Sequence, residues 1–69
     1  MSFQRRKVLG ALLRRGMRVV RETGPHSILE GDDGRMAVLP HGKQIKRGTA
    51  RNIARTARID WEEFRAEVS

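Results

Sequence analysis

Two tight-turn signatures lie close together in mid-chain, and they constrain the fold more than any other feature. Thr23-Gly24-Pro25 is followed after five residues by Gly31-Asp32-Asp33-Gly34. Glycine reaches backbone dihedrals closed to other residues, and proline has no N–H to give to a central ladder, so both stretches read as turns. The segments beside them, residues 17–22, 26–30 and 35–39, carry the Val, Ile and Leu of strands. Three strands joined by short turns make an antiparallel sheet. The apolar residues fall in adjacent pairs, Val19-Val20, Ile28-Leu29 and Val38-Leu39. Because alternate residues face opposite sides of a sheet, each pair puts apolar groups on both faces, and the pattern alone assigns no face to His26.

The flanks are helical. Val8, Leu9, Leu12 and Leu13 recur at helical spacing within residues 4–15, among Arg5, Arg6, Arg14 and Arg15. Gly16 follows as a C-terminal cap, while Gly10, costing about 1 kcal/mol relative to alanine in mid-helix, points to a close contact with the sheet. Pro40 ends the third strand, and residues 41–47 read as a basic loop. Thr49 is expected to cap a second helix through about Arg58, with Ala50, Ile53, Ala54 and Ala57 as a thin apolar stripe. Asp60 with Glu63 has the capping-box pattern of a short last helix, and Ile59 with Phe64 that of a hydrophobic staple. Trp61 and Phe64 are assigned to the core. The expected class is α+β: helix, three antiparallel strands, helix and a short C-terminal helix, with residues 1–69 as one domain and both long helices on one face of the sheet.

Charge narrows the function. The chain carries 15 Lys and Arg against 8 Asp and Glu, a net charge of +7, which attracts polyanions. Residues 1–21 hold seven bases and no acid, and residues 35–59 another seven and no acid. With no cysteine, disulfide and thiolate chemistry are excluded, and the histidines and carboxylates show no metal-ligand spacing. The longest apolar run is four residues, far short of the roughly 18 that cross a bilayer. A cytoplasmic protein with no cofactor, metal or membrane contact, directed at RNA, is the expectation.

Cutting RNA without metal needs a base for the 2′-hydroxyl, an acid for the leaving oxygen and positive charge near the phosphate. Histidine suits proton transfer near neutral pH, and the chain has two, His26 and His41, each at a strand end among basic residues. His26, fixed behind Gly24-Pro25 with Arg21 expected across the hairpin, reads as a catalytic group or as an exposed structural histidine. His41, beside Gly42 and Lys43, reads as a phosphate contact or a hydrogen bond within the loop rather than a general acid. Lys43, Lys46 and Arg47, ahead of Gly48 and Thr49, form either a phosphate cradle at a helix start or an ordinary cap in a basic loop. No nucleotide-binding glycine loop is present, since residues 42–49 lack its order. Besides a ribonuclease, these residues admit a non-catalytic double-stranded-RNA-binding module and a small ribosome-associated protein.

The stretches LLRRGMRVVRETGPHSIL (12–29) and VLPHGKQIKRGTARNIARTARI (38–59) resemble the HicA-type toxins, small ribonucleases of bacterial toxin-antitoxin pairs. The resemblance rests on R-x-x-G-x-H at 21–26, the proline and basic loop at 40–47, and Gly48-Thr49 opening a helix. It implies a double-stranded-RNA-binding-like helix-strand-strand-strand-helix fold that cleaves messenger RNA. His26 would be its catalytic residue, Arg21, Lys43, Lys46 and Arg47 would hold phosphate, and a HicB-type antitoxin would be its partner. Pro25 stands where the family commonly has serine, removing a hydroxyl and an N–H.

Overall fold

The computed structural model describes residues 1–69. In chain order the elements are β1 (Ser2–Gln4), α1 (Arg5–Arg14), β2 (Arg18–Glu22), β3 (His26–Glu30), β4 (Met36–Pro40), β5 (Gln44–Lys46), α2 (Arg47–Thr56) and α3 (Trp61–Val68). Helix, three strands, helix and a short last helix follow one another as the sequence predicts, and β2-β3-β4 form one antiparallel sheet. In β3 and β4 the residues alternate strictly in burial: Ser27, Leu29, Ala37 and Leu39 are buried, while His26, Ile28, Met36 and Val38 are not. The buried set packs under the helices with Val8, Ala11 and Leu12 of α1 and Ala50, Ile53 and Ala54 of α2. Alternation therefore puts His26 on the opposite, open face of the sheet, the choice the apolar pairs left undecided.

The strand at residues 44–46 and the start of α2 depart from the sequence reading. Residues 41–47 are not all loop: β5 pairs with β1 as a second antiparallel ribbon in which Phe3 faces Ile45, both buried. Each strand is three residues long with one apolar residue between polar ones, too short to show alternation. The ribbon also moves the start of α2. The helix begins at Arg47 with Lys46 as N-cap and no side-chain cap, so Thr49 lies inside the first turn and does not cap it. The Arg47 N–H is instead taken by the Met1 carbonyl at 3.2 Å.

The helix ends follow hydrogen-bond geometry. At the end of α1, Gly16 has φ 83°, its N–H donates to Leu13 O, and the Met17 N–H donates to Leu12 O, a Schellman closure. The end of α2 repeats it, with Arg58 N–H to Arg55 O and Ile59 N–H to Ala54 O, but the left-handed position is held by Arg58 at φ 59°. Gly10 does not mark an approach to the sheet: a Cβ there would lie 3.3 Å from Arg14 Nη1 on the same helix. Asp60 caps α3 as expected, its Oδ2 accepting from the Glu63 N–H at 3.2 Å. Phe64 is fully buried, and Trp61 packs at the core edge, edge-on to Phe3 with ring centroids 6.0 Å apart.

Candidate functional site

The β2–β3 turn positions His26. The Thr23 N–H donates to His26 O at 2.8 Å, the His26 N–H returns to Thr23 Oγ1 at 3.0 Å, and His26 pairs with Pro40 across the sheet. These bonds fix its backbone, while its imidazole is half-buried and makes no hydrogen bond within the chain. Arg21 pairs with Ile28, two residues along from His26 and on the same face, so it is a diagonal neighbour rather than the residue directly opposite. Around them the open face is apolar, with Met36 and Val38 more than 40% exposed; Val20, equally exposed, is the unpaired residue of a bulge in β2.

His41 is placed quite differently. Its Nδ1 lies 2.8 Å from Gly24 O, and its Nε2 lies 2.9 Å from Glu22 Oε1 and 3.1 Å from Ser27 Oγ. The two ring nitrogens are thus already engaged, with partners in β2, β3 and the turn between them rather than within the loop that the sequence reading named. The Ser27 hydroxyl, 1% exposed, donates to Glu22 Oε1 at 2.7 Å and accepts from Arg5 Nη2 at 2.7 Å, and Arg5 Nε donates to Pro40 O. Donation from Ser27, then from His41, holds the Glu22 carboxyl below the usual carboxylate range, with Arg5 adding a smaller favourable charge. Arg5, Glu22 and Ser27 were not singled out from the sequence. The one trace of them there is that Glu22, the first acid after seven bases, abuts the turn, and that Ser27 is a polar residue inside an apolar strand.

The basic residues divide by partner. Glu67 takes Arg14 and Arg15, Asp32 takes Arg18, Asp33 takes Arg35, and Glu62 takes Arg65. No carboxylate lies within ion-pair distance of Arg21, Lys43, Lys46, Arg47, Arg51 or Arg55. Arg47, Arg51 and Arg55 recur every fourth residue along an exposed side of α2, and the Cζ atoms of Arg47 and Arg51 lie 6.0 and 5.4 Å from the Trp61 ring centroid. Thr49 is half-buried behind them. Lys43, with Arg5 and Arg6, borders a hollow of about 720 Å³ beside α1, and His26 lines neither that hollow nor the one beside Trp61. Nowhere do three His, Asp or Glu side chains gather as metal ligands would. No helix is long and apolar enough to cross a membrane.

The fold and the site together define a small α+β protein with a histidine free on an open sheet face, diagonal to an arginine that has no acidic partner. The particular family follows from the sequence: the chain belongs to the family described as HicA toxin of bacterial toxin-antitoxin, which matches residues 5–59. No curated protein matches the chain.

Proposed function

We propose that the chain is an endoribonuclease toxin that cuts messenger RNA on the open face of its sheet, with His26 moving the proton. The observation that carries the reading is the contrast between the histidines: the His26 backbone is fixed while its ring is free, whereas both nitrogens of His41 are occupied. In the proposed step the 2′-oxygen bonds to phosphorus as the bond from phosphorus to the 5′-oxygen breaks, leaving a 2′,3′-cyclic phosphate and a 5′-hydroxyl. His26 takes the 2′-hydroxyl proton or supplies the one the 5′-oxygen gains, and water carries the other. Arg21, a diagonal neighbour, offsets the charge that builds on the phosphate, and Lys43, Lys46 and Arg47 hold the strand further along. Phosphate binding at His41 would require it to give up a bond to Glu22 or Gly24, so His41 belongs to the support of the site. A HicB-type antitoxin would neutralise the toxin by covering the apolar face of Ile28, Met36 and Val38 around His26, excluding RNA.

One observation favours a non-catalytic double-stranded-RNA-binding module: with His41 engaged, no second imidazole is free to share the proton transfers. A single experiment separates the readings. Purified chain, freed of any partner, is incubated with long RNA in EDTA at physiological salt beside His26→Ala. The expected outcome is cleavage by the wild type and a loss of at least about 100-fold in the folded variant, as for removal of a general acid-base group. RNA that is bound but left intact by both proteins establishes the binding module instead.

A further inference from the structure

We propose that Glu22 and His41 are positioning residues which, through Ser27, lock the turn carrying His26 in its working geometry; the inference rests on the ribonuclease reading above. His41 captures the two peptide oxygens just ahead of His26: its Nδ1 lies 2.8 Å from Gly24 O, and its backbone N–H donates to Pro25 O at 2.9 Å. Glu22 sits at the near end of the same turn and anchors His41 from the other side, its Oε1 2.9 Å from Nε2. That oxygen also accepts from Ser27, the residue just after His26. His26 is thereby tied on both sides in sequence, while Arg5 of α1 ties the cluster to Ser27 Oγ and to Pro40 O, opposite His26.

The chemistry of the cluster is specific. Gly24 O and the Glu22 carboxylate lie at opposite ring nitrogens of His41, so the one imidazole bridges both ends of the turn. The negative charge of Glu22 faces that ring and the Arg5 guanidinium, and no other acid lies within ion-pair distance of His41. Proline at 25 adds to the requirement. With no N–H on residue 25, the turn cannot hold itself through that group, and His41 supplies bonds to the carbonyls of Gly24 and Pro25, one on each side of the proline ring. The serine inside β3 is explained in the same way: a buried hydroxyl is costly unless bonded, and this one joins Arg5, Glu22 and His41.

The test uses the whole chain with Glu22→Ala, His41→Ala, the double variant and Glu22→Gln, which keeps an acceptor oxygen in place. RNA cleavage is followed in EDTA, and amide hydrogen exchange reports on Thr23 and His26. Both alanine variants are expected to lose roughly 10- to 100-fold in kcat with KM within about 3-fold, because displacing a reacting group by about 1 Å costs that order of rate. The double variant should lose no more than the worse single one, Glu22→Gln should recover most of the loss, and exchange at Thr23 and His26 should quicken in the alanine variants alone. Folded alanine variants that cut at the wild-type kcat overturn the positioning role, as does a rise in KM at unchanged kcat, which would make His41 an RNA ligand. Should either alanine variant fail to fold, His41→Asn, whose shorter side chain cannot bridge Gly24 O and Glu22, takes its place and is expected to lose the same roughly 10- to 100-fold in kcat, while Glu22→Gln stays near the wild type. A wild-type chain that leaves RNA intact fails at the earlier step: the ribonuclease reading falls, and the positioning role falls with it.

Discussion

Arg58 is the one residue other than glycine with a positive φ, and it sits where a Schellman closure favours glycine. The left-handed conformation costs an L-residue about 1–2 kcal/mol, so Arg58→Gly should stabilise the chain by about 1 kcal/mol, or about 4–8 °C in Tm for a domain this small. Thermal melts followed by circular dichroism check this, and an unchanged or lower Tm would show that Arg58 makes contacts outweighing its strain. The same residue shows what single positions disclose. Gly16 announces the end of α1 in the sequence because glycine is the usual left-handed residue, whereas Arg58 performs the same office unannounced. His26 and His41 are alike in type, in strand-end position and in basic neighbours. What separates them is the direction of each ring, which depends on Glu22 and Ser27 meeting across the first hairpin and on His41 returning from the end of β4. Sequence named both candidates but held no information on which ring would be left free.

Among the elements, the central three strands were legible because their turns are written in glycine and proline, and the helices because their apolar spacing is long enough to count. β1 and β5 were not, since one apolar residue in three has no period. Yet the ribbon matters: Phe3 and Ile45 meet on it, and β5 runs directly into α2, setting where Arg47 and Arg51 stand. Ile45→Ala should destabilise the chain by about 2–4 kcal/mol, the usual cost of a large-to-small change in a core. A urea titration checks it, and a change below about 0.5 kcal/mol would place the ribbon outside the cooperative fold. The sequence-based expectation of a Thr49 cap failed for the same reason, because the strand entering the helix lets a backbone carbonyl of Met1 do what a side chain does elsewhere.

Over the whole molecule, charge is sorted by fold rather than by sequence alone. Glu67 of α3 returns to the end of α1, and Asp32 and Asp33 of the β3–β4 turn take Arg18 and Arg35, while Arg21, Lys43, Lys46, Arg47, Arg51 and Arg55 have no acidic partner. Binding to single-stranded RNA should therefore weaken steeply with salt, and Arg51→Ala should flatten the slope of log K against log salt by about 0.7 if that residue meets a phosphate. Filter binding at several salt concentrations reads this, and an unchanged slope removes α2 from the interface. The acids also set the acid limit of stability. Glu22, Asp33 and Glu67 are held below their ordinary values of 4.5, 3.8 and 4.5, chiefly by hydrogen bonds from Ser27, Arg35 and Arg14 respectively. A depressed carboxyl stabilises the fold above its unfolded pKa, and the contribution is lost as pH falls through the folded value. Tm should accordingly hold between pH 7 and 5 and decline below about 4.5 as the carboxyls become protonated; a Tm unchanged to pH 3 would mean that these bonds add nothing. The central claim is that a histidine on an open face drives attack by the RNA's own 2′-oxygen. Its most direct test is the chemistry of the cut ends, read by mass spectrometry on a defined RNA and on the same strand with 2′-deoxyribose at the cleavage site. The account requires 2′,3′-cyclic phosphate and 5′-hydroxyl ends from the first and no cut at that site in the second; 5′-phosphate ends, or cleavage of the deoxy-substituted strand there, would contradict it.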